Sequence, residues 1–127
     1  VMSLFIINLL RGRRPVIYGT GEKRRDFVHV DDVNAFHILA MTDPRTDGRV
    51  FNLGTGVSYS INEIYEIIRK QLRLKQMPEY KPGLPAEAEV TLADISAARS
   101  LGWRPRIGVE EGIAGMIEWI RRNVVKV

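Results

Sequence analysis

The sequence contains no cysteine, and this absence excludes two kinds of site. Without cysteine the chain can form neither a disulfide framework nor a thiolate metal site. The two histidines, His29 and His37, lie eight residues apart and lack the carboxylate companions of a metal site, so we expect no bound metal. No apolar run approaches the roughly 18 residues that suggest a membrane span. These absences favour a cytoplasmic protein without a membrane partner.

The chain also lacks a large excess of either positive or negative charge. The chain has 19 lysines and arginines against 15 acidic residues, which gives a formal net charge of +4. That excess suits a small anionic ligand but is too modest to indicate nucleic acid. With 127 residues, 45% of them hydrophobic, the chain has the size and composition of one globular domain. We therefore expect a single domain that binds an anionic small molecule.

The most informative stretch of the chain is residues 15–33. Residues 16–18 are apolar and follow a proline, which is typical of the start of a short strand. The next three residues are Gly19, Thr20 and Gly21, and the two glycines permit the positive φ of a tight turn. The stretch therefore predicts a strand that ends in a sharp turn.

Three consecutive cations, Lys23, Arg24 and Arg25, follow this turn. Arg25 borders the apolar segment 27–30, so we expect its backbone to be held while its guanidinium faces a ligand. A guanidinium held in this way can bind a phosphate through two parallel hydrogen bonds. We expect Arg24 to point to solvent. The alternative is that the whole turn is a solvated basic surface, and these residues alone leave both interpretations open.

Hydrophobic periodicity, capping residues and breakers predict five helices and three strands. Asp31 or Asp32 is the predicted cap of the second helix, and Ser60 with Glu63 forms a capping box before the third. The predicted helices cover residues 1–10, 31–42, 60–72, 94–102 and 109–122, and the predicted strands cover residues 16–18, 49–53 and 79–81.

The first predicted helix is apolar from its first residue, with Leu4, Ile7 and Leu10 on one stripe. Because a domain rarely begins inside a buried element, we expect the chain to be part of a longer protein. Trp103 and Trp119 lie in apolar helical contexts and are expected to be core aromatics.

Several motifs occur in one order along nearly the whole chain. They are Gly-x-Gly followed by Arg-Asp-Phe-Val-His-Val-Asp-Asp-Val in residues 19–33, then residues 50–56, 60–64, 92–105 and 110–113. Together they resemble the C-terminal half of the nucleotide-sugar epimerases and dehydratases. These are extended short-chain dehydrogenase/reductases, typified by UDP-glucose 4-epimerase. The resemblance implies an α/β fold, a mixed helix-and-short-strand C-terminal lobe that lacks the N-terminal Rossmann half. Residues 1–127 would form one substrate-binding lobe of a longer enzyme.

The resemblance implies an NAD-dependent epimerase that acts on a nucleotide-sugar, with a UDP-sugar as substrate and a homodimer as the intact enzyme. Catalysis in the family uses a tyrosine followed four residues later by a lysine, and none of the four tyrosines here has that spacing. Neither Gly-x-Gly turn is completed by a third glycine that opens a helix, as a dinucleotide site requires. We therefore expect no catalytic residue in this chain, NAD bound by the other half, and no activity from this chain alone.

The resemblance also implies roles for individual residues. Arg25 would bind the diphosphate, Val16 and Tyr18 would lie against the base, and Val57 would lie beside the ribose or base. The family places an Arg-x-Gly-Asp run near the start of the loop after residue 78, and the matching run here begins at Lys81. This run ends in leucine, so it keeps a cation but lacks the acid that accepts a ribose hydroxyl.

Three alternatives remain open at this stage. The first is the C-terminal part of a nucleotide-sugar 4,6-dehydratase, which looks alike in this half. The second is a non-catalytic module that binds nucleotide-sugars or nucleotides. The third is an interaction partner that needs the absent half in order to bury its first helix.

Overall fold

The computed structural model describes residues 1–126, and it confirms the predicted mixture of helices and short strands. In chain order the elements are α1 (Met2–Leu10), β1 (Val16–Tyr18), β2 (Arg24–Asp26), α2 (Val30–Ala40), a 3₁₀ turn (Pro44–Thr46), β3 (Ser58–Ser60), α3 (Ile61–Gln71), β4 (Glu79–Lys81), α4 (Ser96–Ser100) and α5 (Val109–Ile120). Helix α5 continues into a π-helical turn, Arg121–Val125.

The four strands form two small sheets. Strand β1 pairs in parallel with β4, and the register places Tyr18 opposite Lys81. Strand β2 pairs antiparallel with β3, and the register places Arg25 opposite Tyr59. The two sheets bring together segments that lie far apart in the chain.

The main core lies between α1, α3, α5 and β1. Its buried members are Phe5, Ile6, Leu9, Ile17, Ile64, Tyr65, Ile68, Leu72, Ile113, Ile117 and Ile120. Helix α1 buries Phe5, Ile6 and Leu9 against this core, whereas Leu4 of the predicted stripe is 63% exposed and Ile7 and Leu10 are only partly buried. Ser3 and Asn8 are the two polar residues of α1 and mark its orientation weakly, so packing against α3 and α5 decides which apolar residues are buried.

A second cluster joins α2 to α4 and the segment after it. Phe36 packs on Phe51 and Trp103, with ring centroids 5.1 and 6.0 Å apart. Trp103 is buried as predicted, whereas Trp119 is 61% exposed, so its assignment to the core was wrong. Trp119 instead lines an open apolar groove between the start of α1, residues 27–30 and α5.

The N-terminal cap of α2 also differs from the prediction. His29, and not Asp31 or Asp32, is the N-cap residue, and its Nδ1 accepts the Asp31 N–H at 3.1 Å. Asp32 is buried and its carboxylate accepts the N–H groups of Arg106 and Ile107 at 2.9 and 3.0 Å. A buried carboxylate requires such partners, so Asp32 links α2 to the loop before α5.

Residues 49–53, predicted as a strand, form no strand. A strand requires a neighbouring backbone with which to exchange hydrogen bonds, and within residues 1–126 this segment has no ladder partner. Within the same residues, no helix is both long and apolar enough to cross a membrane.

Candidate functional site

A cleft of about 210 Å³ lies between the start of α1, β1, β2, the first residue of α3 and the loop after β4. All three residues of β1, Val16, Ile17 and Tyr18, line it. Ile17 also belongs to the main core and is 2% exposed, whereas Val16 and Tyr18 are less buried, which follows the ordinary two-residue period of a strand. Arg25 lines the same cleft from β2. The structure thus brings together three of the five residues that the sequence singled out.

Arg25 lies on a strand that is held on both edges. One edge pairs with β3, and the other bonds to residues 89–91, with the Arg24 N–H donating to the Glu89 carbonyl at 2.8 Å and the Thr91 N–H donating to the Arg24 carbonyl at 3.0 Å. The Arg25 guanidinium makes one hydrogen bond among the described residues, from Nη1 to the Arg24 carbonyl at 2.8 Å. Its remaining donors are therefore available to a ligand in the cleft.

Two further charged residues line this cleft, and the sequence analysis assigned a ligand role to neither. They are Lys23 and Glu87, whose Nζ and Oε2 atoms lie 2.8 Å apart. The hydrogen bond from Lys23, together with the charges of Lys23 and Arg25, lowers the pKa of Glu87. Two cations and one carboxylate leave one excess positive charge in the cleft, which favours an anionic ligand.

Arg24 does not point freely to solvent as predicted. Its Nε donates to the Ser58 hydroxyl at 3.1 Å, its Nη2 donates to the Ser58 carbonyl, and Nη2 lies 3.1 Å from Glu63 Oε2. The guanidinium therefore links β2 to β3 and to the first turn of α3. Neighbouring side chains on a strand project to opposite faces, so Arg24 supports the strand while Arg25 faces the cleft.

Lys81 and Leu84 lie outside the lining of this cleft, although the sequence run that contains them was matched to the family's Arg-x-Gly-Asp. Lys81 lies opposite Tyr18 in β4, with its Nζ 3.7 Å from Glu79 Oε1. The acid that does line the cleft is Glu87. The residue before it, Ala86, has φ 62°, a left-handed conformation that usually belongs to glycine.

This conformation offers a second match for the family pattern, with Ala86 and Glu87 in place of its glycine and acid. This second match rests on the backbone φ of Ala86. The sequence has no glycine at position 86, so sequence comparison alone did not identify the match. A signal that could have found Glu87 is the run of acids at 87 and 89 in an otherwise apolar loop.

Val57 lies apart from the other predicted residues. It lines a second cavity of about 240 Å³ together with Tyr59 and the loop before α5. The turn that carries Val57 is attached to β2 by Asp26, whose carboxylate accepts the N–H groups of Thr55 and Gly56 at 2.8 and 2.9 Å. The structure therefore places Val57 near β2 but not in the lining of the cleft.

A larger depression, of about 500 Å³, lies elsewhere. It is an apolar groove between the start of α1, residues 27–30 and α5, and it is lined by Phe27, Val109 and Trp119 among others. No lysine or arginine lines it, so it does not suit a phosphorylated ligand. Within residues 1–126 no group of three or more potential metal-ligating side chains comes together.

Neither Gly-x-Gly turn has the geometry of a dinucleotide site. Gly21 leads into β2 and Gly56 leads into β3, whereas a dinucleotide site needs the turn to open a helix whose N-terminus faces the pyrophosphate. Gly19 and Gly21 instead serve a tight turn, with φ of 74° and 79°. These residues do not fit NAD, and binding of NAD outside this chain stays a prediction.

Comparison with known proteins gives a consistent result. Residues 1–54 match the NAD dependent epimerase/dehydratase family. The UDP-glucose 4-epimerase of Mycolicibacterium smegmatis is 36% identical over 124 residues, which cover 97% of this chain and 39% of that protein. Other relatives include a UDP-glucuronate 4-epimerase of Thermodesulfobacterium geofontis and a GDP-L-fucose synthase of Escherichia coli.

Solved structures show the same similarity. The UDP-glucose 4-epimerase of Thermotoga maritima, solved with UDP-glucose, superposes with a TM-score of 0.91 at 33% identity and covers 97% of this chain and 40% of that one. MoeE5, solved with UDP-glucose and NAD, has a TM-score of 0.88 at 37% identity and covers 97% of this chain and 42% of that one. The chain thus spans about two fifths of the length of the proteins that it matches.

Proposed function

We propose that this chain, which matches the C-terminal part of the NAD dependent epimerase/dehydratase family in sequence and in fold, is the nucleotide-sugar-binding lobe of a 4-epimerase. The observation that carries the proposal is the cleft that Arg25 lines together with the strand residues Val16 and Tyr18. A cation with free donors beside an apolar strand face suits a nucleoside diphosphate. The cation can bind the phosphates, and the apolar strand face can contact the base.

Each residue of the cleft has a role in this proposal. Arg25 binds the diphosphate through charge-assisted hydrogen bonds, and the side chains of Val16 and Tyr18 contact the base. Glu87 accepts a hydrogen bond from a ribose hydroxyl, the role that the family pattern gives to its acid. The site thereby holds the nucleotide and presents the sugar to the reacting groups, so that its contribution to the reaction is orientation.

The closest alternative concerns the base. The relatives include proteins named for UDP-sugars and for GDP-L-fucose, so a guanine nucleotide is the second candidate ligand. The side chains of Val16 and Tyr18 leave a cleft of about 210 Å³, and the smaller uracil ring is the better match. Competition between UDP and GDP for the purified chain decides between them.

The test of the proposal is calorimetric titration of UDP into the purified chain and its Arg25→Ala variant. Loss of a charge-assisted hydrogen bond to phosphate costs about 1.5–3 kcal/mol, so we expect about a tenfold to hundredfold weaker affinity. Arg25→Lys keeps the charge but not the fork of donors, and we expect it to recover only part of the affinity.

The matched control is Arg13→Ala, because Arg13 is exposed and lies outside the cleft. Arg24 is unsuitable as a control, since it supports β2 through Ser58 and Glu63. Equal weakening of UDP binding by Arg13→Ala and Arg25→Ala would contradict the diphosphate role of Arg25.

A further inference from the structure

The Lys23–Glu87 ion pair occupies the same cleft as Arg25, and its two members differ in how firmly they are held. The Lys23 side chain is 18% exposed and that of Glu87 is 39% exposed. Lys23 precedes β2, and the backbone carbonyl of Lys23 accepts the Ile61 N–H at 3.2 Å, so its position depends on the fold of the sheet and α3. Glu87 lies in a loop, where a side chain can change partners at little cost.

We propose that Lys23 is the second phosphate-binding cation of this site, and that it exchanges Glu87 for the ligand when a nucleoside diphosphate enters. This inference rests on the proposed function and adds to it the identity of the second cation. In the free chain, Glu87 neutralises Lys23. In the bound chain, Lys23 and Arg25 share the two phosphates, and Glu87 is released to the ribose hydroxyl.

The charge of the ligand supports a second cation. A diphosphate carries at least two negative charges, and one guanidinium neutralises only one of them. The family pattern places a cation two residues before its glycine; that position is Leu84 in the match to Ala86 and Glu87 and Lys81 in the match to Gly83, and neither residue lines the cleft. Lys23 is inside that lining, and an ammonium group on a flexible stem can turn from a carboxylate to a phosphate without any change of backbone.

The alternative is that the ion pair only ties the loop around residue 87 to β2. The two interpretations differ in what the Glu87→Gln variant does. If the ion pair only attaches the loop to β2, losing the carboxylate loosens the loop and weakens the binding of every ligand. If Glu87 competes with phosphate for Lys23, its loss frees a cation, and the affinity for inorganic pyrophosphate, which has no ribose, increases.

The experiment is titration of uridine, UMP, UDP and inorganic pyrophosphate into the chain and its Lys23→Ala, Lys23→Arg and Glu87→Gln variants. We expect Lys23→Ala to weaken the affinity for UDP about tenfold, to weaken the affinity for UMP less, and to leave the affinity for uridine unchanged. Lys23→Arg should recover most of the UDP affinity. Glu87→Gln should bind pyrophosphate at least about threefold more tightly, because Coulombic competition is removed.

Lys75→Ala is the matched control, since Lys75 is exposed and does not line the cleft, and we expect it to bind UDP as the unaltered chain does. Thermal unfolding of every variant shows whether the fold is retained. If Lys23→Ala loses its fold, the Glu87→Gln titration with pyrophosphate still decides the question.

The failure of this inference is distinguishable from failure of the proposed function. Unchanged UDP affinity in Lys23→Ala, or weaker pyrophosphate binding in Glu87→Gln, overturns the role of Lys23 while the effect of Arg25→Ala stands. No binding of UDP by the unaltered, folded chain overturns both.

Discussion

Asp26 is the residue that attaches two loops to β2, the strand that carries Arg25. Its carboxylate accepts hydrogen bonds from the Thr55 N–H and hydroxyl at 2.8 and 2.7 Å, from the Gly56 N–H at 2.9 Å and from the Ala93 N–H at 3.4 Å. An added Cβ at Gly54 would lie 2.5 Å from Asp26 Oδ2, so glycine is needed for this approach. Asp26 therefore fixes two loops around the strand that presents Arg25.

Asp26 also makes stability depend on pH. Burial acts to raise its pKa, but the hydrogen bonds from Thr55, Gly56 and Ala93 outweigh burial and hold the pKa below its usual value of 3.8. A lowered pKa in the folded state stabilises the fold above the unfolded value, and that contribution is lost as the pH falls through the folded pKa.

We therefore predict that Asp26→Asn lowers the free energy of unfolding by about 1–3 kcal/mol at pH 7. The difference between the variant and the unaltered chain should shrink below pH 4, as Asp26 becomes protonated. Urea denaturation at pH 7 and pH 3 measures both effects. Asp47→Asn is the control, because Asp47 is exposed, and we expect a change of less than about 0.5 kcal/mol at either pH. A difference for Asp26→Asn that is the same at both pH values would contradict the argument.

At the scale of the element, the start of α3 organises the turn beside the cleft. The capping box is complete: the Glu63 N–H donates to the Ser60 hydroxyl at 3.1 Å, and the Ser60 N–H donates to the Glu63 carboxylate at 2.6 Å. In the same turn, the Asn62 N–H donates to the Gly21 carbonyl at 3.0 Å, and the Tyr80 hydroxyl donates to Asn62 Oδ1 at 2.9 Å. One helix terminus thus holds the glycine turn and β4 together.

Ser60→Ala removes the side chain of this cap. Because Ser60 is buried, water cannot replace the lost hydrogen bond, and we predict a loss of about 1–2 kcal/mol of unfolding free energy. Chemical denaturation measures it. Ser3→Ala, in the exposed part of α1, should change the stability by less than about 0.5 kcal/mol. Equal effects of the two substitutions would show that the capping box contributes nothing.

At the scale of the whole molecule, large apolar side chains are exposed in α2 and in the segments that follow it. Ile38 is 67% exposed, Met41 is 83% exposed and Val50 is 93% exposed. Val50 belongs to segment 49–53, which has no ladder partner within residues 1–126. The proteins that this chain matches are more than twice as long as it is.

We predict that the chain by itself does not interconvert UDP-glucose and UDP-galactose in the presence of NAD. The physical reason is that the Tyr-x-x-x-Lys spacing occurs after none of its four tyrosines, and neither glycine turn has dinucleotide geometry. The measurement is chromatography of the sugar nucleotides after prolonged incubation with purified chain. Addition of a full-length UDP-glucose 4-epimerase to the same mixture is the positive control. Conversion above that of a mock preparation would contradict the prediction.

Local interactions explain what could be predicted without the fold. The capping box at Ser60 and the breaks at glycine and proline depend on neighbours within four residues, so the sequence alone determined them. The candidate Arg25 could be identified in the same way, because it lies between a turn and an apolar segment. The sequence also determined the family resemblance, since the motifs occur in one order along the chain.

Long-range contacts decided the rest. The buried face of α1, the exposure of Trp119 and the absence of a strand at residues 49–53 depend on which elements are present to pack or pair. Glu87 joins the cleft only because residues 89–91 bond to β2, which places it beside a lysine 64 positions away in the chain. The sequence determined that a cation follows the turn, and the tertiary structure decided which acid faces it, because that pairing joins segments that no local rule connects.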